Sequence, residues 1–134
     1  MKDKRLASDD RIRVVCILTQ EFSSFPFILN SSPVEKTAKV LNVSPNTVRR
    51  YIRESHEYFR NITFKLLGEE KSLELMESLK RVPDKTRAVA VLSMNGFNWE
   101  EIGKHLRMSS EAAQKRFRRL KNNKSFKKLL IKKL

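Results

Sequence analysis

The stretch Asn95 to Leu120, NGFNWEEIGKHLRMSSEAAQKRFRRL, restricts the fold more than any other part of the chain. Trp99, Ile102 and Leu106 fall three and four apart, so they share one helical face. Asn98 stands just before them as a candidate N-cap, and Gly96 can end a preceding helix. Arg107 and Met108 make a short turn. Ser109 or Ser110 then caps a second helix, with Glu111 in its first turn, where a carboxylate suits the helix dipole. Ala112, Ala113 and Phe117 point inward from that helix, leaving Gln114, Lys115, Arg118 and Arg119 free to point elsewhere. A short helix, a tight turn and a second helix with a basic polar face fit a reader of the DNA major groove.

A second stretch of the same design lies upstream. Ser32-Pro33 starts a helix, with proline near the first position, where its missing N–H costs nothing. Val34 to Arg53, VEKTAKVLNVSPNTVRRYIR, then follows the helix-turn-helix pattern shared by many bacterial regulators and recombinases. Ala38 allows close helix crossing, and Asn42 tolerates a left-handed turn better than most residues. Val43 plugs the turn, Ser44 caps the next helix and Pro45 suits its first position. Val48, Tyr51 and Ile52 face inward. Asn46, Thr47, Arg49, Arg50 and Arg53 stay outward, and asparagine and arginine in such places can read adenine and guanine edges.

Leu79 to Leu120 resembles region 4 of bacterial sigma factors and the sigma-like regulators of phages and mobile elements. The matching residues are Val82-Pro83, Arg87, Gly96, Trp99, Glu101-Ile102, Leu106, Met108-Ser109, Arg116 and Arg119. Three positions depart from the pattern. Gly103 replaces a small alanine, an exchange with no steric objection. Arg107 replaces a turn glycine, which costs about 1 kcal/mol or more if the turn needs a positive φ. Ala113 replaces a larger β-branched residue. The same run, NWEEIGKHL to KRFRRLK, also resembles the second and third helices of Myb/SANT domains, with Phe117 for their last tryptophan. Both resemblances imply a trihelical DNA-binding unit. The sigma resemblance adds transcription control, RNA polymerase as a partner, and Arg116 as a phosphate ligand or a stem packed on the first helix.

The 134 residues suit one domain or two small ones. Three glycines, four prolines and 40% apolar residues favour an all-α protein with a real core. A net charge of +14 favours a polyanionic partner. The expected architecture is two helix-turn-helix (trihelical) units, packed together or joined by a shared helix. Residues 1–67 form the first unit, with its helix-turn-helix at 34–53. Residues 68–121 form the second, and 122–134 a basic tail.

Between the motifs the reading is coarser. Arg11 to Gln20 is apolar on more than one side, which permits a buried helix or a strand. Phe22 to Pro33 reads as a loop or broken helix with Phe22, Phe25 and Phe27 in the core. Phe59, Ile62, Leu66 and Leu67 continue the apolar pattern up to Gly68. Leu73, Leu75, Met76 and Leu79 mark an amphipathic helix within Glu69 to Val82. Asp84 caps a helix Lys85 to Asn95, with Ala88, Val89, Val91 and Leu92 inward. In the tail, Phe126, Leu129, Leu130 and Leu134 face away from Lys127, Lys128, Lys132 and Lys133. That pattern suits a packed final helix, a DNA-backbone arm or a membrane-surface helix.

No constellation for catalysis or metal binding stands out. His56 and His105 are solitary, and one cysteine with two histidines cannot close a four-ligand zinc site. Glu69-Glu70 and Glu100-Glu101 are adjacent pairs, hence on different helix faces. Cys16 reads as a buried thiol. No apolar run reaches the ~18 residues of a membrane span. MKDKRLASDD lacks the apolar core of a signal peptide. The expectation is therefore a non-enzymatic, cofactor-free, cytoplasmic, nucleoid-associated protein that binds double-stranded DNA sequence-specifically and regulates transcription. Asn46, Thr47, Arg49, Arg50 and Arg53 would form one contact surface. Ser110, Gln114, Lys115, Arg116, Arg118 and Arg119 would form the other. Alternatives are a phage or mobile-element assembly protein, such as a small terminase subunit acting as a homo-oligomer, and an RNA-polymerase-docking module.

Overall fold

The computed structural model describes residues 2–24, 32–59, 64–67 and 73–133. Among them are eight helices and no strand. These are α1 (Lys2–Ser23), α2 (Pro33–Leu41), α3 (Pro45–Phe59), α4 (Leu73–Lys80), α5 (Asp84–Met94), α6 (Trp99–Leu106), α7 (Ser110–Lys121) and α8 (Lys124–Lys133).

Helices α1, α2 and α3 pack on one another as a first trihelical unit, and α5, α6 and α7 as a second. The two units meet where α1 lies against α5. This explains why α1 is apolar on several sides. Val14, Val15, Ile17 and Leu18 are fully buried because three helices surround them. The β-branched residues that permit a strand are accommodated in a helix by that enclosure, since packing overrides a weak intrinsic propensity. Cys16 is buried here, and burial pushes its thiol pKa up, as suits an inert structural cysteine. The helix also runs on past Gln20 to Ser23, placing the buried Phe22 in its last turn instead of in a loop.

One buried ion pair ties the units at the end of α1. The Arg87 guanidinium, 2% exposed, lies 2.6 Å from the Glu21 carboxylate, which is 0% exposed. Arg87 Nε also donates to Glu21 Oε2 at 2.8 Å, and Nη2 to the Glu21 carbonyl at 2.5 Å. The other carboxylate oxygen accepts the Leu67 N–H. Both charges are thus paired and hydrogen-bonded, the condition under which burying them is tolerable. Asn95 holds the same 64–67 segment to α5, accepting from the Lys65 N–H at 2.9 Å and donating to its carbonyl at 2.8 Å.

The tail folds back as α8 and packs on α7 and α4. Phe126 and Leu130 are fully buried. Each such burial stabilises by about 1.5–3 kcal/mol, enough to hold the helix on the fold in preference to a free arm. Ser78 donates to Ser125 across the α4–α8 contact at 2.7 Å.

Three local expectations need correction. Leu73, expected on the apolar face of its helix, opens α4 at 79% exposure, because the packed face is made by Leu75 and Leu79 instead. Asp84 does not cap α5. Pro83 takes the cap position without a side-chain bond, and Asp84 is the first helical residue, where its charge still favours the dipole. That helix ends at Met94, with Asn95 as its cap. Phe25, Phe27, Ile62, Gly68 and Leu134 lie outside the described residues, as do the side chains of His56, Phe59, Lys128, Leu129, Lys132 and Lys133. Among the described residues, no helix is long and apolar enough to cross a membrane.

Candidate nucleic-acid interface

Each unit turns its chain by the same device. In the first, Ser32 caps α2 by accepting the Glu35 N–H at 3.1 Å. The helix stops at Asn42, which adopts the left-handed conformation at φ 57° and ψ 49°. The next N–H, of Val43, donates back to the Ala38 carbonyl at 2.9 Å, closing the turn. Ser44 then caps α3, accepting the Thr47 N–H at 3.2 Å, with Pro45 as the first helical residue.

The second unit repeats these steps with other residues. Asn98 and Glu101 form a reciprocal capping box at the start of α6, with bonds of 2.8 and 3.0 Å. Gly96, at φ +93°, reverses the chain ahead of it. Arg107 ends α6 at φ 58° and ψ 52°. The Met108 N–H donates to the Gly103 carbonyl at 2.9 Å. Of the two candidate serines, Ser109 is the cap, accepting the Ala112 N–H at 3.1 Å. At a constant offset along the chain, Ala38 corresponds to Gly103, Asn42 to Arg107, Val43 to Met108 and Ser44 to Ser109.

Gly103 fits, and the space around it shows why the smaller residue is needed. A Cβ there would collide with the Met108 carbonyl oxygen and sit 3.3 Å from Ser109 C and Ser110 N. The turn closes over this position, so alanine is not sterically acceptable here. Arg107 bears the left-handed backbone that the sequence makes conditional, at a cost of about 1 kcal/mol or more.

Helix α3 buries Val48 and half-buries Tyr51 and Ile52, which turns its opposite side outward. Asn46, Arg49, Arg50 and Arg53 are exposed there, and Thr47 is half-buried. Arg49 Nη1 donates to Asn46 Oδ1 at 3.0 Å, and Arg50 lies 5.4 Å from the Tyr51 ring centroid. Thr47 Oγ1 lies 2.9 Å from Ser44 Oγ.

Helix α7 buries Ala113, Phe117 and Leu120. Phe117 packs on Trp99 of α6 with ring centroids 5.3 Å apart, so the tryptophan belongs to the packing between the two helices. Lys115, Arg118 and Arg119 are exposed, while Ser110 and Gln114 are half-buried. Arg116 is also half-buried, and its Nη1 donates to Thr86 Oγ1 on α5 at 2.9 Å. One end of its guanidinium is therefore engaged within the fold.

The described residues contain ion pairs between Lys36 and Asp84, Lys80 and Glu77, and Arg87 and Glu21. Among the described residues, no carboxylate pairs with Arg49, Arg50, Arg53, Lys115, Arg118 or Arg119. Both second helices thus present outward positive charge beside a capped turn, the arrangement that phosphates and base edges can use.

Two arginines important to the arrangement escaped the sequence reading. Arg11 and Arg13 sit in the apolar run of α1 but reach across to the second unit. Arg11 Nη1 donates to the His105 carbonyl at 3.1 Å and lies 3.2 Å from its Nδ1; Nη2 donates to the Leu41 carbonyl at 3.4 Å. Arg13 donates to the Asn95 carbonyl at 2.9 Å and lies 4.8 Å from the Phe97 ring centroid. Nothing local marks these residues, because every partner is distant in sequence. His105 is a packing residue, edge-on to Phe97 with centroids 6.1 Å apart. Burial first, and then the Arg11 charge, push its pKa below the ordinary value.

The geometry defines an all-α protein with two helix-turn-helix motifs bearing basic outer faces. Residues 90–126 match the family model of the Myb-like DNA-binding domain. That span takes in the end of α5, all of α6 and α7, and the start of α8. The match supports a helix-turn-helix DNA-binding domain in this half of the chain, with DNA as its partner. No curated protein and no solved structure gives a match.

Proposed function

We propose that the protein binds double-stranded DNA sequence-specifically through both α3 and α7, and that it acts in transcription control. The observation that carries this reading is the pair of capped second helices, each with basic side chains turned outward and, among the described residues, without carboxylate partners. Net charge supplies non-specific affinity for phosphates, and the polar side chains near each helix start supply base discrimination. Asn46, Thr47, Arg49, Arg50 and Arg53 form the first surface. Ser110, Gln114, Lys115, Arg118 and Arg119 form the second, with Arg116 split between α5 and the phosphate backbone. The sigma region 4 resemblance around Trp99, Glu101-Ile102 and Met108-Ser109 favours transcription control over other DNA-linked roles. On this reading the protein works without turnover, alongside the chromosome in the cytoplasm.

Selection of bound duplexes from a random pool, repeated at two salt concentrations, tests the proposal. The expected result is one recovered motif, with affinity falling steeply as salt rises. Replacing Arg49 by Ala should then relax preference at a base pair by about 1–3 kcal/mol. Recovery of no motif at either salt would remove sequence specificity from the account.

A further inference from the structure

The two halves are fastened at several points, and one fastening lies between the two turns. Leu41 is the last residue of α2, immediately before the left-handed Asn42. His105 lies two residues before the left-handed Arg107. The single guanidinium of Arg11 binds the carbonyls of both. It therefore clamps the C-terminal ends of the two first helices just ahead of the points where the recognition helices depart. Further along α1, Arg13 holds the α5–α6 link at the Asn95 carbonyl. At the end of α1, Glu21 holds α5 through the buried Arg87. Lys36 of α2 reaches Asp84 of α5 at 4.0 Å. These contacts hold α5 and the α5–α6 link, whereas Arg11, among the described residues, bonds the C-terminal ends of both α2 and α6 and so governs how the two turns sit against each other.

The two reading surfaces also differ. At matching positions the first unit has Asn46, Arg49 and Arg50, and the second has Glu111, Gln114 and Lys115. Arginine suits the paired acceptors of guanine, whereas glutamine suits the acceptor and donor of adenine. A symmetric dimer reads the same half-site twice; this chain carries two unlike readers in one body.

We infer that one copy of the chain reads a two-part, non-palindromic duplex site at a single fixed spacing, and that Arg11 is the positioning residue that sets this spacing. The inference rests on the DNA-binding reading above and adds the architecture of the site.

The test uses the full chain and duplexes selected from the random pool. The motif should contain two unlike blocks at one separation, with one protein per duplex by native mass. Inserting about half a helical turn, about 5 bp, between the blocks should weaken binding about 100-fold, as loss of one whole block would. Inserting a full turn, about 10 bp, should not restore it, because α1 sets distance as well as phase. Arg11→Gln and Arg11→Lys, each checked for a native melting transition, remove the double clamp. Both should bind each isolated block as the parent does, yet lose at least about half of the 100-fold spacing penalty on a logarithmic scale. A merely structural role would lower melting temperature and leave spacing selectivity intact.

Equal affinity at all spacings, a palindromic motif holding two proteins, or Arg11 variants with parental spacing selectivity would each overturn the inference while leaving DNA recognition standing. A pool that yields no motif overturns the DNA reading, and this inference with it.

Discussion

The two turns hold the same backbone with different residues. Asn42 and Arg107 share left-handed angles within a few degrees, yet asparagine enters that region far more readily than arginine. Ala38 carries a Cβ where Gly103 has no room for one, because the Met108 carbonyl closes over the second turn. The first turn is thus built from locally compatible residues. The second combines a strained residue with a glycine that admits a tighter approach. The comparison teaches that the helix-turn-helix path is set by packing and hydrogen bonds, here the Val43-to-Ala38 and Met108-to-Gly103 bonds. Residue preference at the turn adjusts its cost.

The largest expected effect concerns the joint that makes the two units one body. Arg87→Met should destabilise the fold by about 3–5 kcal/mol, because it strands the Glu21 carboxylate in the core. Denaturant titration checks this, and the Arg87→Met/Glu21→Gln double variant should recover most of the loss. No recovery would mean that the pair is held for more than its charge.

Next comes the contrast at the two crossing positions. Gly103→Ala should cost about 1–3 kcal/mol through the forced contact with Met108. The mirror change, Ala38→Gly, should cost only about 1 kcal/mol, the helix-interior penalty of glycine. Equal costs in thermal or chemical unfolding would erase the distinction drawn between the turns.

A smaller effect separates the turn residues themselves. Arg107→Gly should stabilise by about 1 kcal/mol by relieving the left-handed strain. Asn42→Gly should shift stability by less than about 0.5 kcal/mol, since asparagine already tolerates the conformation. A melting-temperature comparison of the two variants reads the difference directly.

The smallest effect is on pH. His105 faces Arg11, Asp10, Lys104 and Glu101, and burial is the main cause of its lowered pKa. The unfolded chain therefore binds the proton more readily than the fold does. The contribution of His105 is fully present above its ordinary value of 6.5 and is lost as pH falls through the lower folded value. His105→Gln should flatten that part of the stability profile. The first unit has Val40 at the matching position, so its turn has no counterpart of this group.

Much of the candidate interface is legible from short-range chemistry. Asn42, Ser44, Pro45, Asn98 and Ser109 act within four residues of their partners, and their roles as turn and cap follow from spacing. The outward placement of Arg49, Arg53 and Arg118 follows from helical periodicity. Arg11 and Arg87 were not legible in this way. Their partners lie on other helices, and an arginine in an apolar run carries no mark of which carbonyl or carboxylate it will meet. Gly103 falls between these cases. Its place in the pattern is visible, but the room around it depends on how tightly the following turn closes. Leu73 shows the opposite failure, since an apolar residue at a helix start need not be buried.

The most direct test of the account compares salt dependence across the two recognition helices. Affinity of the full chain for its selected duplex would be measured over a range of salt for three proteins. These are the parent, an Arg49/Arg50/Arg53→Ala variant and a Lys115/Arg118/Arg119→Ala variant. Each triple change should weaken binding at least about 10-fold and reduce the slope of log affinity against log salt by roughly 1 for each phosphate contact removed. A triple variant in either unit with the parent's affinity and slope would contradict the claim that both second helices lie on DNA.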